Sequence, residues 1–270
     1  MQKNFINTEP LRGNAVLPVD EYEYRYVAHI AYKDKKSDTK LIYTCSGIVI
    51  TKKHVLTAAH CLLETKAEVD KTRVLVGSSN LLRCTPYTPK SWTTYIDYKE
   101  QITNGAKKLS MRADTDLASI ELSHEIDESI KPATIALRPV EKVEGGFAEI
   151  VGWGLLDDNV LNKQLNRAFV TILSPETCSK KISEKLHKVK RIFSRNICTV
   201  ANPRVSLTCG DSGGPVVRNN KVIAVNRGTS PVEFEEAERY NVHLYLLHYK
   251  QFIDWATKDE SVTYDDAMPK

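Results

Sequence analysis

Thr208 to Val217 reads TCGDSGGPVV. A glycine pair beside an apolar run marks a tight bend where the backbone leaves a strand, and that reading needs no chemistry. The order of residue types says more. Gly210 and Asp211 precede Ser212, and Gly213, Gly214 and Pro215 follow it. A nucleophilic hydroxyl must stand exposed on a sharp turn, with unobstructed backbone N–H groups aimed at a developing oxyanion. This run supplies both, so Ser212 is a candidate nucleophile on a strand-entering turn.

A serine nucleophile needs a base. Of the seven histidines, His29, His124, His187, His243 and His248 lie in mixed or polar stretches, and His54 heads an apolar run. His60 differs. It closes VLTAAH, where small residues let two chain segments pack closely just before the imidazole, and Cys61 follows it. The base in turn needs a carboxylate to fix its tautomer and stabilise the imidazolium. Asp116 stands in DTDLASIEL, where Leu117, Ser119 and Glu121 alternate with Ala118, Ile120 and Leu122 in the period-2 pattern of a half-buried strand. Asp114, two residues earlier, reads as a solvated loop carboxylate.

TAAHC at 57–61, TDLASIEL at 115–122, GWG at 152–154 and GDSGGPVV at 210–217 stand in the order and rough spacing of a known family. From about Leu11 to Ala256 the chain resembles the chymotrypsin/trypsin-like serine endopeptidases. The resemblance implies His60 as general base and then acid, Asp116 as its orienter, Ser212 as nucleophile, and the N–H groups of Gly210 and Ser212 as the oxyanion hole. The order His, Asp, Ser sets the chain apart from subtilisin-like enzymes and α/β-hydrolases. It implies disulfides Cys45–Cys61 and Cys178–Cys198. Cys84 and Cys209 are left over, either free or joined to each other.

Composition is compatible with such a chain. With 270 residues, 41% of them hydrophobic, it can bury a sizeable core in one large or two small domains. YRYVAHIAY, CSGIVIT, KHVLTAA, TRVLVG, FAEIVGWG, NRAFVTIL, GGPVV and KVIAVN are short β-branched runs between turn residues. The expected fold is all-β: two six-stranded antiparallel β-barrels and a C-terminal helix, chymotrypsin-like, with the site in the cleft between barrels. The expected division is 1–10 as an N-terminal extension or propeptide remnant, 11–140 as the first barrel, 141–247 as the second, 248–258 as the helix and 259–270 as a frayed acidic tail. A second helix is expected in SPETCSKKISEKLHKVKRIF, where Ser174 can N-cap, Pro175 suits the first helical position, and Ile182, Leu186 and Val189 share a face. No run of 18 apolar residues marks a membrane span.

The amino terminus departs from the family. MQKNFINTEP shows no charged n-region followed by an apolar h-region; with the implied disulfides, this reads as a mature or engineered form of a secreted, extracellular protein. In the family a cut frees an apolar residue whose α-amino group pairs with the aspartate before the nucleophile. Here Asp211 would receive Leu11, or Gly13 if the cut follows Arg12, and the uncut chain would be a zymogen.

Substrate preference is less legible. In relatives an aspartate about six residues before the nucleophile selects Arg or Lys. Here the candidates are Ser206 and Leu207, neither acidic. The strand that pairs with bound peptide in relatives reads AVNRG, so Asn226, Arg227 and Gly228 join the candidate pocket, and Asn241 would narrow it. A small or medium apolar residue before the cut is the resulting expectation. Arg227 reads either as favouring acidic substrate residues or as a solvated side chain.

Net charge +4 is too modest to imply nucleic acid. The denser cluster Lys180, Lys181, Lys185, Lys188, Lys190 and Arg191 on the expected helix reads as a solvated face or as a polyanion site. There is no metal-ligand spacing, phosphate loop or cofactor motif, and a monomer acting on protein or peptide substrates is expected. Two functional classes fit: an active endopeptidase working through an acyl-enzyme, and a non-catalytic homologue used as a binding module.

Overall fold

The computed structural model describes residues 15–34, 37–63, 68–105, 110–156, 160–161, 163–231, 239–258 and 260–266. The short β-branched runs form two curled sheets. In the amino-terminal one the strand order is Thr85–Tyr87, Thr72–Val76, Val27–Asp34, Ser37–Val49, His54–Ala58, Leu117–Leu122 and Pro89–Thr94, every pair antiparallel. The sequence predicts a closed barrel of six strands here. The sheet instead has seven strands and is a half-barrel, with no ladder joining its ends among the described residues. Pro86 and Pro89 lie on the two outermost strands, and a residue without an N–H donor belongs at a sheet edge.

The carboxyl-terminal sheet does close. Pro215–Arg218, Phe147–Gly152, Asn166–Leu173, Asn196–Val200, Tyr240–Tyr245 and Lys221–Ser230 follow one another, and the last pairs back with the first. Alternate residues such as Ile150, Ala168, Val170, Ile172, Ile197, Val216 and Ala224 fill its interior, as a small barrel of this strand number demands. Three short strands extend this sheet. Val16–Pro18 pairs with Asn166–Leu173, Ile135–Ala136 runs parallel to Lys221–Ser230, and Tyr264–Asp265 runs parallel to Ile135–Ala136. The chain therefore does not divide cleanly at residue 140.

Three local readings change. The helix expected through residue 193 spans Pro175–Leu186. His187 adopts left-handed φ of 52° and stops it, and the Ser183 hydroxyl then accepts from the Lys190 N–H at 2.9 Å. Lys188, Lys190 and Arg191 consequently leave the helix, which disperses the basic face drawn over 180–191. The C-terminal helix covers Lys250–Thr257 after a 3-10 turn at Leu246–Tyr249. A further helix, Tyr95–Ile102, escaped the sequence reading although its signal is present: Thr94 and Asp97 form a reciprocal capping box. Its Tyr95 and Tyr98 pack on Tyr249, Phe252 and Trp255 with ring centroids 5.1 to 5.8 Å apart.

The acidic tail is docked rather than frayed through residue 266. Asp265 forms ion pairs with Arg138 at 2.8 Å and with Lys221, and Glu260 accepts from Thr51 and lies 3.4 Å from His54 Nδ1. Cys84 and Cys209 are both free, the former half-buried and the latter exposed. Burial pushes the Cys84 thiol up to about 11, which keeps it protonated and inert. Among the described residues no helix is long and apolar enough to cross a membrane.

Removing one member of the Asp265 cluster leaves two cations beside a strand that is only half-buried. Asp265→Asn is expected to cost about 2 kcal/mol. The melting temperature should fall by about 4–8 °C; an unchanged melting temperature would show that the tail contributes nothing to stability.

Candidate active site

Backbone register brings the base and its carboxylate together. Ala58 pairs with Leu117 across adjacent antiparallel strands, so His60, two residues past the end of one strand, meets Asp116 just before the other. The Ala59 N–H donates to the Asp116 carbonyl at 3.0 Å and continues the ladder. Asp116 is almost fully buried, with a side chain 2% exposed. Its Oδ1 accepts the His60 backbone N–H at 2.8 Å and its Oδ2 lies 2.8 Å from His60 Nδ1. A carboxylate can only accept, so Nδ1 carries the proton and Nε2 is left as the basic nitrogen.

Disulfide Cys45–Cys61 holds the residue after His60. For its sequence separation of 16, such a bond restricts the unfolded chain by about 3 kcal/mol. Cys178–Cys198 similarly ties the Pro175–Leu186 helix to its neighbouring strand. Cys45, His60 and Cys61 present three potential metal ligands close together. The disulfide consumes both thiolates and Asp116 takes Nδ1, so this cluster is not built to hold a metal.

The serine turn is docked onto the amino-terminal sheet. Ser46 donates its N–H to the Ser212 carbonyl at 2.7 Å and its hydroxyl to the Gly210 carbonyl at 2.8 Å. On the other side Gly213 donates to the Asn226 carbonyl at 2.7 Å. Glycine is obligatory at 213. Its φ is +86°, and a Cβ would sit 2.1 Å from the Ser46 carbonyl oxygen and 2.3 Å from Thr57 Oγ1. The Ser212 hydroxyl donates to the Arg227 carbonyl at 3.1 Å, and among the described residues no hydrogen bond joins it to His60. Asp211 is fully buried; its Oδ2 accepts from the Thr208 N–H at 2.8 Å and hydroxyl at 3.1 Å. Leu11, its expected activation partner, lies outside the described residues.

The candidate pocket residues separate into two groups. Ser206 and Leu207 are buried, and the Leu207 N–H donates to Asn241 Oδ1 at 2.8 Å. Asn241 also donates to the Val205 carbonyl. Asn226 is turned inward, donating to the Val151 carbonyl and lying 3.0 Å from His243 Nδ1. Burial drives His243 down to about 3, so it is a neutral core histidine. The side chains of Asn226 and Asn241 thus brace the barrel, whereas Arg227 is 33% exposed and carries its Nε to 3.4 Å from Asp116 Oδ2.

Asp114 corrects the sequence reading, being buried rather than solvated. Burial works against its ionisation, but hydrogen bonds from Arg112 at 3.0 and 3.1 Å and from Arg195 at 2.6 Å outweigh it and hold the carboxyl below its usual range. Arg195 belongs to the second half of the chain, so this contact, with Tyr249 donating to the Asp114 carbonyl at 3.0 Å, fixes the loop that presents Asp116. The supporting roles of Ser46, Thr57 and Arg195 escaped the sequence reading, because only the packing of distant segments creates them.

A family model described as trypsin matches residues 16–255. Chymotrypsin from Phaedon cochleariae is 31% identical over 188 residues, which make up 66% of this chain and 60% of that protein. Trypsin from Simulium vittatum is 32% identical over 192 residues, 68% of this chain and 70% of that protein. The chain thus spans less than two thirds of the first of these relatives. Among solved structures, mouse neuropsin, titled a serine protease, superposes with a TM-score of 0.67 at 20% identity, covering 89% of this chain and 98% of that one.

Two outcomes test the architecture of the site. Gly213→Ala combines strained backbone with a backbone clash and is expected to cost more than about 3 kcal/mol in urea denaturation. Asp114 contributes stability that is present above the ordinary aspartate value near 4 and is lost as pH falls through its lower folded value. In Asp114→Asn, the drop in urea midpoint between pH 7 and pH 3 should therefore be smaller than in the unaltered protein; an equal drop would mean that the two arginines do not stabilise the carboxylate.

Proposed function

The chain belongs to the trypsin family, and on that premise we propose that it is a serine endopeptidase with Ser212 as nucleophile, His60 as general base and acid, and Asp116 as orienter. The observation that carries this reading is the buried Asp116 carboxylate holding His60 by both backbone N–H and Nδ1 at 2.8 Å. That arrangement fixes the ring and its tautomer and leaves Nε2 to take the Ser212 proton.

In the proposed reaction Ser212 Oγ attacks the scissile carbonyl as its proton passes to His60. Negative charge on the carbonyl oxygen is stabilised by the N–H groups of Gly210 and Ser212, a donor pair in which each member contributes about 10² to 10³ in kcat. His60 then protonates the leaving amine, and an acyl-enzyme on Ser212 remains for water, activated by His60, to hydrolyse. The hydroxyl's bond to the Arg227 carbonyl describes a resting rotamer that must turn towards His60 before attack.

Activation is proposed to follow from Asp211. A new α-amino group at Leu11 would displace Thr208 from the carboxylate, and the peptide between Gly210 and Ser212 would settle into its donating geometry. The two disulfides support residence in an oxidising, extracellular compartment. Without an acid at Ser206 or Leu207, a small or medium apolar residue before the cut is the proposed preference.

Labelling by a fluorophosphonate reads the nucleophile directly. The form beginning at Leu11 should react faster than the full chain. Ser212→Ala should abolish labelling and reduce peptide turnover by at least about 10⁴-fold, with the melting temperature unchanged. Turnover surviving in that variant would refute the assignment, and mixed-library profiles dominated by cleavage after Arg or Lys would refute the proposed pocket.

A further inference from the structure

The Lys221–Ser230 strand loses its register at one residue. Asn226 pairs with His243 and Gly228 with Val242, leaving Arg227 as the bulged position between them. A bulge re-aims a side chain away from the alternation of its strand. Here it carries the guanidinium towards the triad, with Nε 3.4 Å from Asp116 Oδ2.

That carboxylate attracts Arg227 by charge but takes no hydrogen bond from it. Each of its oxygens accepts from His60, and Arg227 Nε is a buried donor with no hydrogen-bond acceptor. The side chain nevertheless remains one-third exposed, so one edge of the guanidinium meets the triad while part of the side chain is open to solvent. Beside it, Gly228 has nothing within 4 Å of where a Cβ would stand, leaving room for a peptide strand. Guanidinium matches a carboxylate in a paired, planar geometry that neutral side chains do not offer.

We propose that Arg227 is a specificity-determining residue which recognises a carboxylate, an aspartate or glutamate side chain, on the peptide laid along Asn226–Gly228. At about 3.3 Å per residue of extended chain, the carboxylate belongs within about three residues of the bond to be cut. The inference deepens the endopeptidase reading and rests on it for the placement of the peptide. In the absence of such a peptide, Arg227 stays drawn to Asp116 by charge alone.

Binding tests the inference separately from catalysis. Full-length protein carrying Ser212→Ala is titrated with capped hexapeptide libraries, randomised except for Asp or Asn fixed at each position in turn. At one position the Asp library is expected to bind about tenfold more tightly than the Asn library, a difference of about 1.4 kcal/mol. Arg227→Gln should bring the ratio to one, Arg227→Lys should keep part of it, and Arg227→Glu should invert it in favour of Asn. A ratio of one with Arg227 present, or a ratio untouched by Arg227→Gln, overturns the proposal. If Arg227 merely supports Asp116, its removal weakens both libraries equally, which also overturns it. Fluorophosphonate labelling of the form beginning at Leu11 reads the catalytic assignment independently. Labelling with a ratio of one sinks only the role of Arg227, while a tenfold ratio without labelling sinks only the catalytic reading.

Discussion

The two halves of the chain meet where Ser46 and Thr57 of the half-barrel pack against the turn from Gly210 to Gly214. Ser46 hydrogen-bonds the carbonyls of both Gly210 and Ser212, and the space left at Gly213 excludes even a methyl group. The Cys45–Cys61 disulfide joins the residue before this anchor to the residue after His60. Nucleophile, anchor and base are thereby linked through one covalent bond and two hydrogen bonds. Preorganisation of that kind matters because hydrogen-bond donors stabilise a developing charge only when they are already fixed in place.

Buried polar groups hold the rest of the interface between the halves. Asp114 reaches Arg195 across the chain while Asn196 donates to the Ala113 carbonyl at 3.0 Å, so the segment leading into Asp116 is tied to the closed barrel at two adjacent residues. Within that barrel Thr199, His243 and Asn226 form a hydrogen-bonded row. Asn226 carries it on to the Val151 carbonyl and, through its own carbonyl, to Gly213. A polar network this well satisfied is rigid and specifies one arrangement. It fixes the residue preceding Arg227, so the bulge at Arg227, whose Nε lies 3.4 Å from Asp116 Oδ2, starts from a firm point.

Much of this was legible in sequence. The short β-branched runs located Val27–Asp34, His54–Ala58, Thr72–Val76, Phe147–Gly152 and Asn166–Leu173 as strands, and the period-2 pattern located Leu117–Leu122, because branched side chains bounded by turn residues favour a pleated, extended backbone. His60, Asp116 and Ser212 stood out because each sits in a local pattern that its proposed chemistry requires. Strand closure was not legible. Prolines at 86 and 89 end the first sheet as edges, but only the ladder shows that no pairing joins its ends among the described residues.

The sequence by itself determined an all-β chain and three residues with the chemical types of a nucleophile, a base and an orienting carboxylate, since these depend on local periodicity and short motifs. Tertiary structure alone decided what surrounds them. Asp114 looked solvated until Arg195, 81 residues away, closed on it, and the tail looked loose until Asp265 met Arg138 and Lys221. Asn226 and Arg227 are neighbours in the chain, yet one is hydrogen-bonded into the barrel and the other, at the bulge, lies beside Asp116. Such outcomes arise from long-range contacts and register, which a one-dimensional pattern of residue types does not carry.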